Sequence, residues 1–219
     1  MERHFDTELD QLKQQLLKMG ALAEAMVDAA VTALVERDAG QLEQIYKQEK
    51  EVNGLQVSID EDCLRLTALY QPTAGDLRFL LGASKINTEL ERLGDQAINI
   101  CEVVEKLLQE PQLKPLIDIP KMVAISTDMV RDSLNAFVER NVDKARAVLM
   151  QDDQLDDLKD KIVAELTEFM AKDSGSVNRA IQLILVARSL ERIGDHATNI
   201  AEDVIFVVQG RDIRHHQLD

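Results

Sequence analysis

The hexapeptide Leu90-Glu91-Arg92-Leu93-Gly94-Asp95 returns as Leu190-Glu191-Arg192-Ile193-Gly194-Asp195 at an offset of 100. The match runs on through Ala97/Ala197, Asn99/Asn199, Ile100/Ile200, Glu102/Glu202 and Val104/Val204, so that ten of the fifteen positions from 90 to 104 are identical. Apolar residues recur around the first copy at three- and four-residue steps (Phe79, Ala83, Ile86, Leu90, Leu93, Ala97, Ile100, Val104). That is the period of an amphipathic helix. A helix that occurs twice with this fidelity marks a duplicated unit.

Working outward, the same period runs through Leu9, Leu12, Leu16, Met19, Ala23, Met26, Ala30 and Leu34, and through Leu42, Ile45, Val52, Leu55, Ile59, Cys63 and Leu66. The second half repeats the order, with helical segments expected over Lys121–Arg140, Val142–Lys172 and Val177–Gln209. Its middle segment aligns with the earlier one at an offset of 103 through Glu49/Asp152, Val52/Leu155, Leu55/Leu158 and Ile59/Ile162. All four prolines fall between 72 and 120, and Pro111, Pro115 and Pro120 mark Glu110–Ile119 as a linker. Asp38 is expected to cap the second helix, Thr73 the third with Asp76 at the capping-box position, and Gly210 to close the last. His215 and His216 follow that closing glycine. The expected fold is all-α: two tandem three-helix bundles of six helices, related by an internal repeat and divided into 1–112 and 113–219. Gly94 and Gly194 lie inside helices at about 0.8–1 kcal/mol each relative to Ala, which points to close approach of a neighbouring helix.

Composition agrees with this class. The chain has 219 residues, 45% of them hydrophobic, yet only seven aromatic and no Trp. A Leu/Ile/Val/Met/Ala core suits helix packing better than a β-sandwich. Twenty-five Lys+Arg against 40 Asp+Glu leaves a net charge of −15, the opposite of a nucleic-acid footprint. Cys63 and Cys101 are too few for a disulfide framework, so a reducing compartment is the default. The longest uncharged run, Leu66–Gly75, is too short to span a bilayer and contains Pro72. The first residues lack the apolar stretch of a signal peptide. No phosphate-binding glycine loop and no Glu-x-x-His helix motif occurs, which argues against ATP hydrolysis and helical di-iron oxidation.

Four short motifs share one form, a carboxylate followed four residues later by another oxygen donor: Glu49…Asn53, Glu91…Asp95, Asp152…Asp156 and Glu191…Asp195. Four-residue spacing puts both side chains on one helix face. If each middle helix folds back on the third, the motifs meet about 30 Å from the turn at 1.5 Å per residue in both halves. Glu49 and Asp152 also sit where the apolar stripe would place a hydrophobic residue. Glu49, Glu91 and Asp95 should therefore converge in one half, and Asp152, Asp156, Glu191 and Asp195 in the other. An oxygen-rich set without Cys or His suits a hard cation such as Mg²⁺, Mn²⁺, Ca²⁺ or iron. The second set has one carboxylate more and should bind more tightly. Arg92 and Arg192 are expected to pair with nearby carboxylates. His196 points about 100° around the helix from Asp195 and is not taken as a ligand.

The segments Glu91-Arg92-Leu93-Gly94-Asp95…Asn99-Ile100 and Glu191-Arg192-Ile193-Gly194-Asp195-His196-Ala197-Thr198-Asn199-Ile200-Ala201-Glu202 closely resemble the signature of the PhoU family. Gln71-Pro72-Thr73-Ala74-Gly75-Asp76-Leu77-Arg78 and Val207-Val208-Gln209-Gly210-Arg211-Asp212 resemble it too. The resemblance implies a pair of three-helix bundles, cytoplasmic and dimeric. It also implies a regulator without catalytic turnover that restrains a phosphate-sensing histidine kinase and modulates the ATPase-driven phosphate transporter, reaching the membrane only through partner proteins. It further implies metal clusters held by Glu/Asp-x-x-x-Asp motifs, here Glu91/Asp95, Asp152/Asp156 and Glu191/Asp195; Asn53 departs from that pattern. Two alternatives from other classes stand beside the regulator: a metal-dependent phosphohydrolase using the paired carboxylates, and a purely structural helical dimer.

Overall fold

The computed structural model describes residues 2–213; His215 and His216 lie outside them. Seven α-helices follow in order: α1 Glu2–Glu36, α2 Leu42–Tyr70, α3 Ala74–Leu107, α4 Asp118–Glu139, α5 Val142–Leu149, α6 Asp152–Lys172 and α7 Val177–Gln209. A 3-10 turn, Ser174–Ser176, precedes α7, and the described residues contain no strand. The first half packs α1, α2 and α3 against one another; the second does the same with α4, α6 and α7.

The expectation of six helices fails at one place. The segment Val142–Lys172 is broken at Met150 and Gln151 into α5 and α6. The apolar phase runs straight through the break, so periodicity could not reveal it. The local chemistry does: Asp152 and Asp153 occupy the first turn of α6, where the positive end of the helix dipole favours them. At the other end, the Asn141 side chain accepts from the Lys144 amide at 3.1 Å to start α5. The short α5 buries Ala145 and Val148 against α4 and α7.

Two caps also differ from expectation. α2 begins after Gln41, and the Asp38 carboxylate instead accepts from the Gly40 amide at 2.9 Å. Arg37, at φ 57°, has already turned the chain out of α1, so Asp38 closes the turn rather than the helix. Thr73 does stand at the N-cap of α3, but its side chain makes no cap hydrogen bond. Asp76 turns away to Arg140 at 3.8 Å, leaving the capping box unformed. Gly210 closes α7 as expected, in the left-handed conformation at φ 67°, its amide donating to the Phe206 carbonyl at 2.8 Å.

The linker 108–117 joins the halves and is tied back by Arg37, whose guanidinium donates to the carbonyls of Leu108 at 3.1 Å and Glu110 at 2.6 Å. The buried side chains do not respect the division between halves. One continuous apolar cluster runs from Leu9 to Val207. α3 packs more extensively against α7 than any other two helices pack together, and α1 lies on α4. Phe79 on α3 stacks on Phe137 of α4 with ring centroids 4.6 Å apart.

The two motif glycines occupy equivalent places. A Cβ at Gly94 would meet Val52 Cγ1 at 3.3 Å, whereas one at Gly194 would collide with Leu155 Cδ2. Val52 and Leu155 are themselves repeat counterparts. Each glycine admits the middle helix of its own half. Gly94→Ala should therefore be close to neutral, because the helix-propensity gain of about 1 kcal/mol offsets a tight but adjustable contact. Gly194→Ala should cost about 1–3 kcal/mol by overpacking against the buried Leu155. Urea denaturation of the two variants checks the order; equal or reversed stabilities would mean that the close approach at Gly194 is not a constraint.

Candidate functional site

Both acidic constellations lie between a middle helix and the third helix of its half. The α2–α3 pair is antiparallel, with Asn87 Nδ2 donating to the Gln56 carbonyl at 2.8 Å and Ser84 Oγ to Asp60 Oδ1 at 2.9 Å. That register carries Glu49 to the level of Asp95, and Asn53 to that of Glu91. Asn53 Nδ2 donates to Glu49 Oε1 at 2.6 Å and so satisfies one of the carboxylates it accompanies. Glu91 is held above the usual carboxylate range, first by burial and then by the negative charge of Asp95, with Glu49 adding to it. Glu49, Glu91 and Asp95 thus share one electrostatic neighbourhood.

In the second half the crowding is greater. Asp152 lies beside Gly194, its Oδ1 3.4 Å from where a Cβ there would be. Burial pushes Asp152 up to about 6, and the charges of Asp195, Asp156, Asp153 and Glu191 push in the same direction. Asp195 is likewise raised, by burial first and by Glu191 second. Asp152, Asp156, Glu191 and Asp195 are therefore also brought together.

Lys159 enters this second cluster unannounced by the motif spacing. Its Nζ donates to Asp156 Oδ1 at 2.9 Å and lies 3.5 Å from Glu191 Oε1. Those bonds, the one to Asp156 first, hold its ammonium above the ordinary lysine range. The counterpart of Lys159 at the offset of 103 is Gln56. The extra carboxylate of the second half is thus matched by an extra cation, which removes the charge argument for tighter binding there.

The donor chemistry of both clusters fits a hard cation: Glu49, Glu91, Asp95, Asp152, Asp156, Glu191 and Asp195 are all oxygen ligands, and the raised carboxyls would gain from a positive charge. Among the described residues, however, no three His, Cys, Asp or Glu side chains are grouped so as to hold one ion as they stand. Glu49, Glu91 and Asp95, or Asp152, Asp156, Glu191 and Asp195, would have to turn toward it.

Between the clusters, α3 and α7 enclose a cleft of about 370 Å³ lined by Arg92 and Asp95 from the first and Arg192, Asp195 and His196 from the second. Three of its lining residues, Arg92, His196 and Asn199, meet in a contact that the motif analysis missed. Glu89 Oε2 lies 2.7 Å from His196 Nδ1 and accepts from Asn199 Nδ2 at 3.0 Å, while Arg92 Nη1 donates to Glu89 Oε1 at 3.1 Å. Burial alone would raise Glu89, but its hydrogen bonds from His196 and Asn199 and the charges of His196 and Arg92 outweigh it and hold the carboxyl below its usual range. His196 is thus a partner of Glu89. Arg92 pairs as expected; Arg192 forms no ion pair among the described residues. The available signal was the pair of departures from the repeat, Glu89/Ser189 and Gln96/His196, at positions flanking an otherwise faithful copy.

The family model described as "PhoU domain" matches residues 16–104 and again 119–204. A Pseudomonas putida protein named phosphate-specific transport system accessory protein PhoU homolog is 38% identical over 216 residues, covering 98% of this chain and 84% of the relative. The Escherichia coli K12 phosphate-specific transport system accessory protein PhoU is 35% identical over 212 residues, covering 96% and 88%. Among solved structures, the crystal structure of PhoU from Pseudomonas aeruginosa superposes with a TM-score of 0.90 at 36% identity, covering 94% of this chain and all of that one. That of the phosphate transport system regulatory protein PhoU from Streptococcus pneumoniae gives 0.86 at 30% identity, covering 95% and 98%.

The elevated Asp152 sets a pH dependence. Asp152 ionises in the ordinary aspartate range in the unfolded chain but only near 6 in the folded one. Its contribution therefore disfavours folding progressively as pH rises from about 4 to about 6, and fully above that. In chelator-treated buffer, Asp152→Asn is expected to raise stability at pH 7 by about 1 kcal/mol, after allowing for the screening of a half-buried group. The gain should vanish near pH 4. Urea titrations at the two pH values check this, and a variant less stable than the parent at pH 7 would show that the carboxylate has a stabilising partner instead.

Proposed function

Because this chain belongs to the PhoU family, we propose that it is a non-enzymatic regulator of phosphate uptake and phosphate-starvation signalling. In this reading it restrains a phosphate-sensing histidine kinase and modulates the ATPase of the phosphate transporter. The observation that carries the proposal is near-complete coverage by relatives whose names make them accessory proteins of phosphate-specific transport. Those names favour the non-catalytic reading over a metal-dependent phosphohydrolase. No helix among the described residues is long and apolar enough to cross a membrane, so contact with a transporter would run through protein surfaces. A net charge of −15 would keep such a chain from being drawn directly to anionic lipid. A cytoplasmic location, a homodimer and a modest, releasable interface with kinase and transporter belong to the same proposal.

The acidic clusters enter it as cation sites. Glu49, Glu91 and Asp95 would hold a hard cation in the first half, and Asp152, Asp156, Glu191 and Asp195 in the second. The cation would supply positive charge that cancels the repulsion among these carboxylates and fixes each middle helix to its third helix. In this reading the two sites would lie on either side of the cleft between α3 and α7 that Asp95 and Asp195 line.

Deleting the gene in a phosphate-replete bacterium while following a reporter of the phosphate-starvation response tests the regulatory reading. Derepression despite ample phosphate, reversed by restoring this chain, is the expected result. An unaltered reporter, together with metal-dependent hydrolysis of phosphate esters by the purified protein, would favour the phosphohydrolase. Calorimetric titration of Mn²⁺ into chelator-stripped protein tests the cation sites separately. Asn53→Asp is expected to tighten the first site and Asp156→Asn to weaken the second; unchanged affinities in both would show that these carboxylates are not the ligands.

A further inference from the structure

The seam between α3 and α7 joins the third helices of the two repeats, so each position along it has a counterpart 100 positions away on the opposite side. On one side the polar contacts are complete. Lys85 Nζ donates to Asp203 Oδ1 at 2.9 Å, and Glu89 is gripped by Asn199, His196 and Arg92 as described above. On the other side Leu185 and Val103 stand where Lys85 and Asp203 stood, and Ser189 stands in place of Glu89. Arg192 and Asn99, the counterparts of Arg92 and Asn199, are retained. Two of the donors that hold a carboxylate on the first side are thus repeated on the second, opposite a serine that brings no carboxylate to them.

A cleft of about 290 Å³ occupies this place, lined by Asn99, Ser189, Arg188 and Arg192, with Glu102 the one acidic lining residue. Arg188 replaces Thr88 and sets a second guanidinium one helical turn from the first. Neither arginine forms an ion pair among the described residues, although acidic residues outnumber basic ones by fifteen in the chain. Two guanidiniums and one carboxylate give the cleft a local charge opposite to that of the molecule.

We infer that this cleft is a receptor for a carboxylate side chain presented by an acidic segment of a partner protein. The preference for a carboxylate comes from the opposite side of the seam, where an arginine and an asparagine in the same relation, together with His196, hold one such group. A dianion such as phosphate would meet Glu102 at the cleft itself and Asp95 and Asp195 in the adjoining cleft that Arg192 also lines. The inference concerns a contact surface and stands whether or not the chain regulates phosphate uptake.

Fluorescence anisotropy of a labelled oligo-glutamate peptide titrated with the full chain at low salt tests it. Saturable binding is expected. Arg188→Gln should weaken it by at least about tenfold, and so should Ser189→Glu, which supplies in cis the carboxylate that position 89 supplies on the other side. Lys50→Gln, which removes an exposed cation elsewhere, should leave binding unchanged. Circular dichroism of each variant confirms that the helices are retained. No binding by the parent chain, or undiminished binding by Arg188→Gln and Ser189→Glu, would overturn the inference. Displacement of the peptide by inorganic phosphate at matched ionic strength would overturn it as well, by making the cleft a phosphate site.

Discussion

A helix that is apolar around much of its circumference has to be enclosed, and both α3 and α7 are of this kind. α3 buries Phe79, Leu80, Ile86, Leu90, Leu93, Ala97, Cys101 and Val104, and α7 buries a comparable set from Ala180 to Val207. No single neighbour can cover so wide a surface. α3 is therefore walled in by α1, α2 and α7, and α7 by α3, α4, α5 and α6. The remaining helices take their places around this pair. The repeated glycines let α2 and α6 approach closely enough to complete the enclosure, and the short α5 fills the side of α7 that α4 and α6 leave open. At about 1.5–3 kcal/mol for each large apolar side chain removed from water, this enclosure is the dominant favourable contribution to the fold.

Enclosure also decides where the charges go. Most of the forty acidic residues stand outside the core, and some face one another across a helix pair. At the two constellations this crowding is concentrated instead of relieved, as the raised carboxyls of Glu91, Asp152 and Asp195 show. The halves answer it differently. The first uses an amide, Asn53, which donates to Glu49; the second uses an ammonium, Lys159, against Asp156 and Glu191. Counting side-chain charges, three carboxylates in one cluster equal four carboxylates and a lysine in the other. The duplication has diverged in composition while conserving the local balance.

Much of this was legible from the residues alone. Long amphipathic periods, a near-verbatim repeat and clustered prolines specify a duplicated helical bundle, because each rests on local geometry that tertiary packing reinforces. Residues equidistant from a tight turn must meet in an antiparallel hairpin, and so the membership of both acidic clusters could be read as well. What escaped depends on contacts distant in sequence or on competition between short-range bonds. Lys159 lies three residues from a predicted ligand, yet nothing in its spacing told whether it would reach inward or out to water. The pairing of Glu89 with His196 needs α3 and α7 to touch, which no period within either helix discloses. Asp38 was expected to cap α2, and only the path of the chain after Arg37 gave its carboxylate to the Gly40 amide instead.

The central pairing of α3 with α7 has a consequence for how the molecule is made. α3 is complete when residue 107 has been synthesised, but α7 ends about a hundred residues later. At roughly 5–20 residues per second, the nascent chain carries the apolar flank of α3 uncovered for about 5–20 s before its cover emerges. Through that interval the first three helices are a template for the wrong partner as much as for the right one, including the α3 of another nascent chain, which shares ten of the fifteen positions 90–104 with the awaited α7. Co-translational protection of this one surface, and the spacing of ribosomes along the message, therefore bear on the yield of correctly assembled protein.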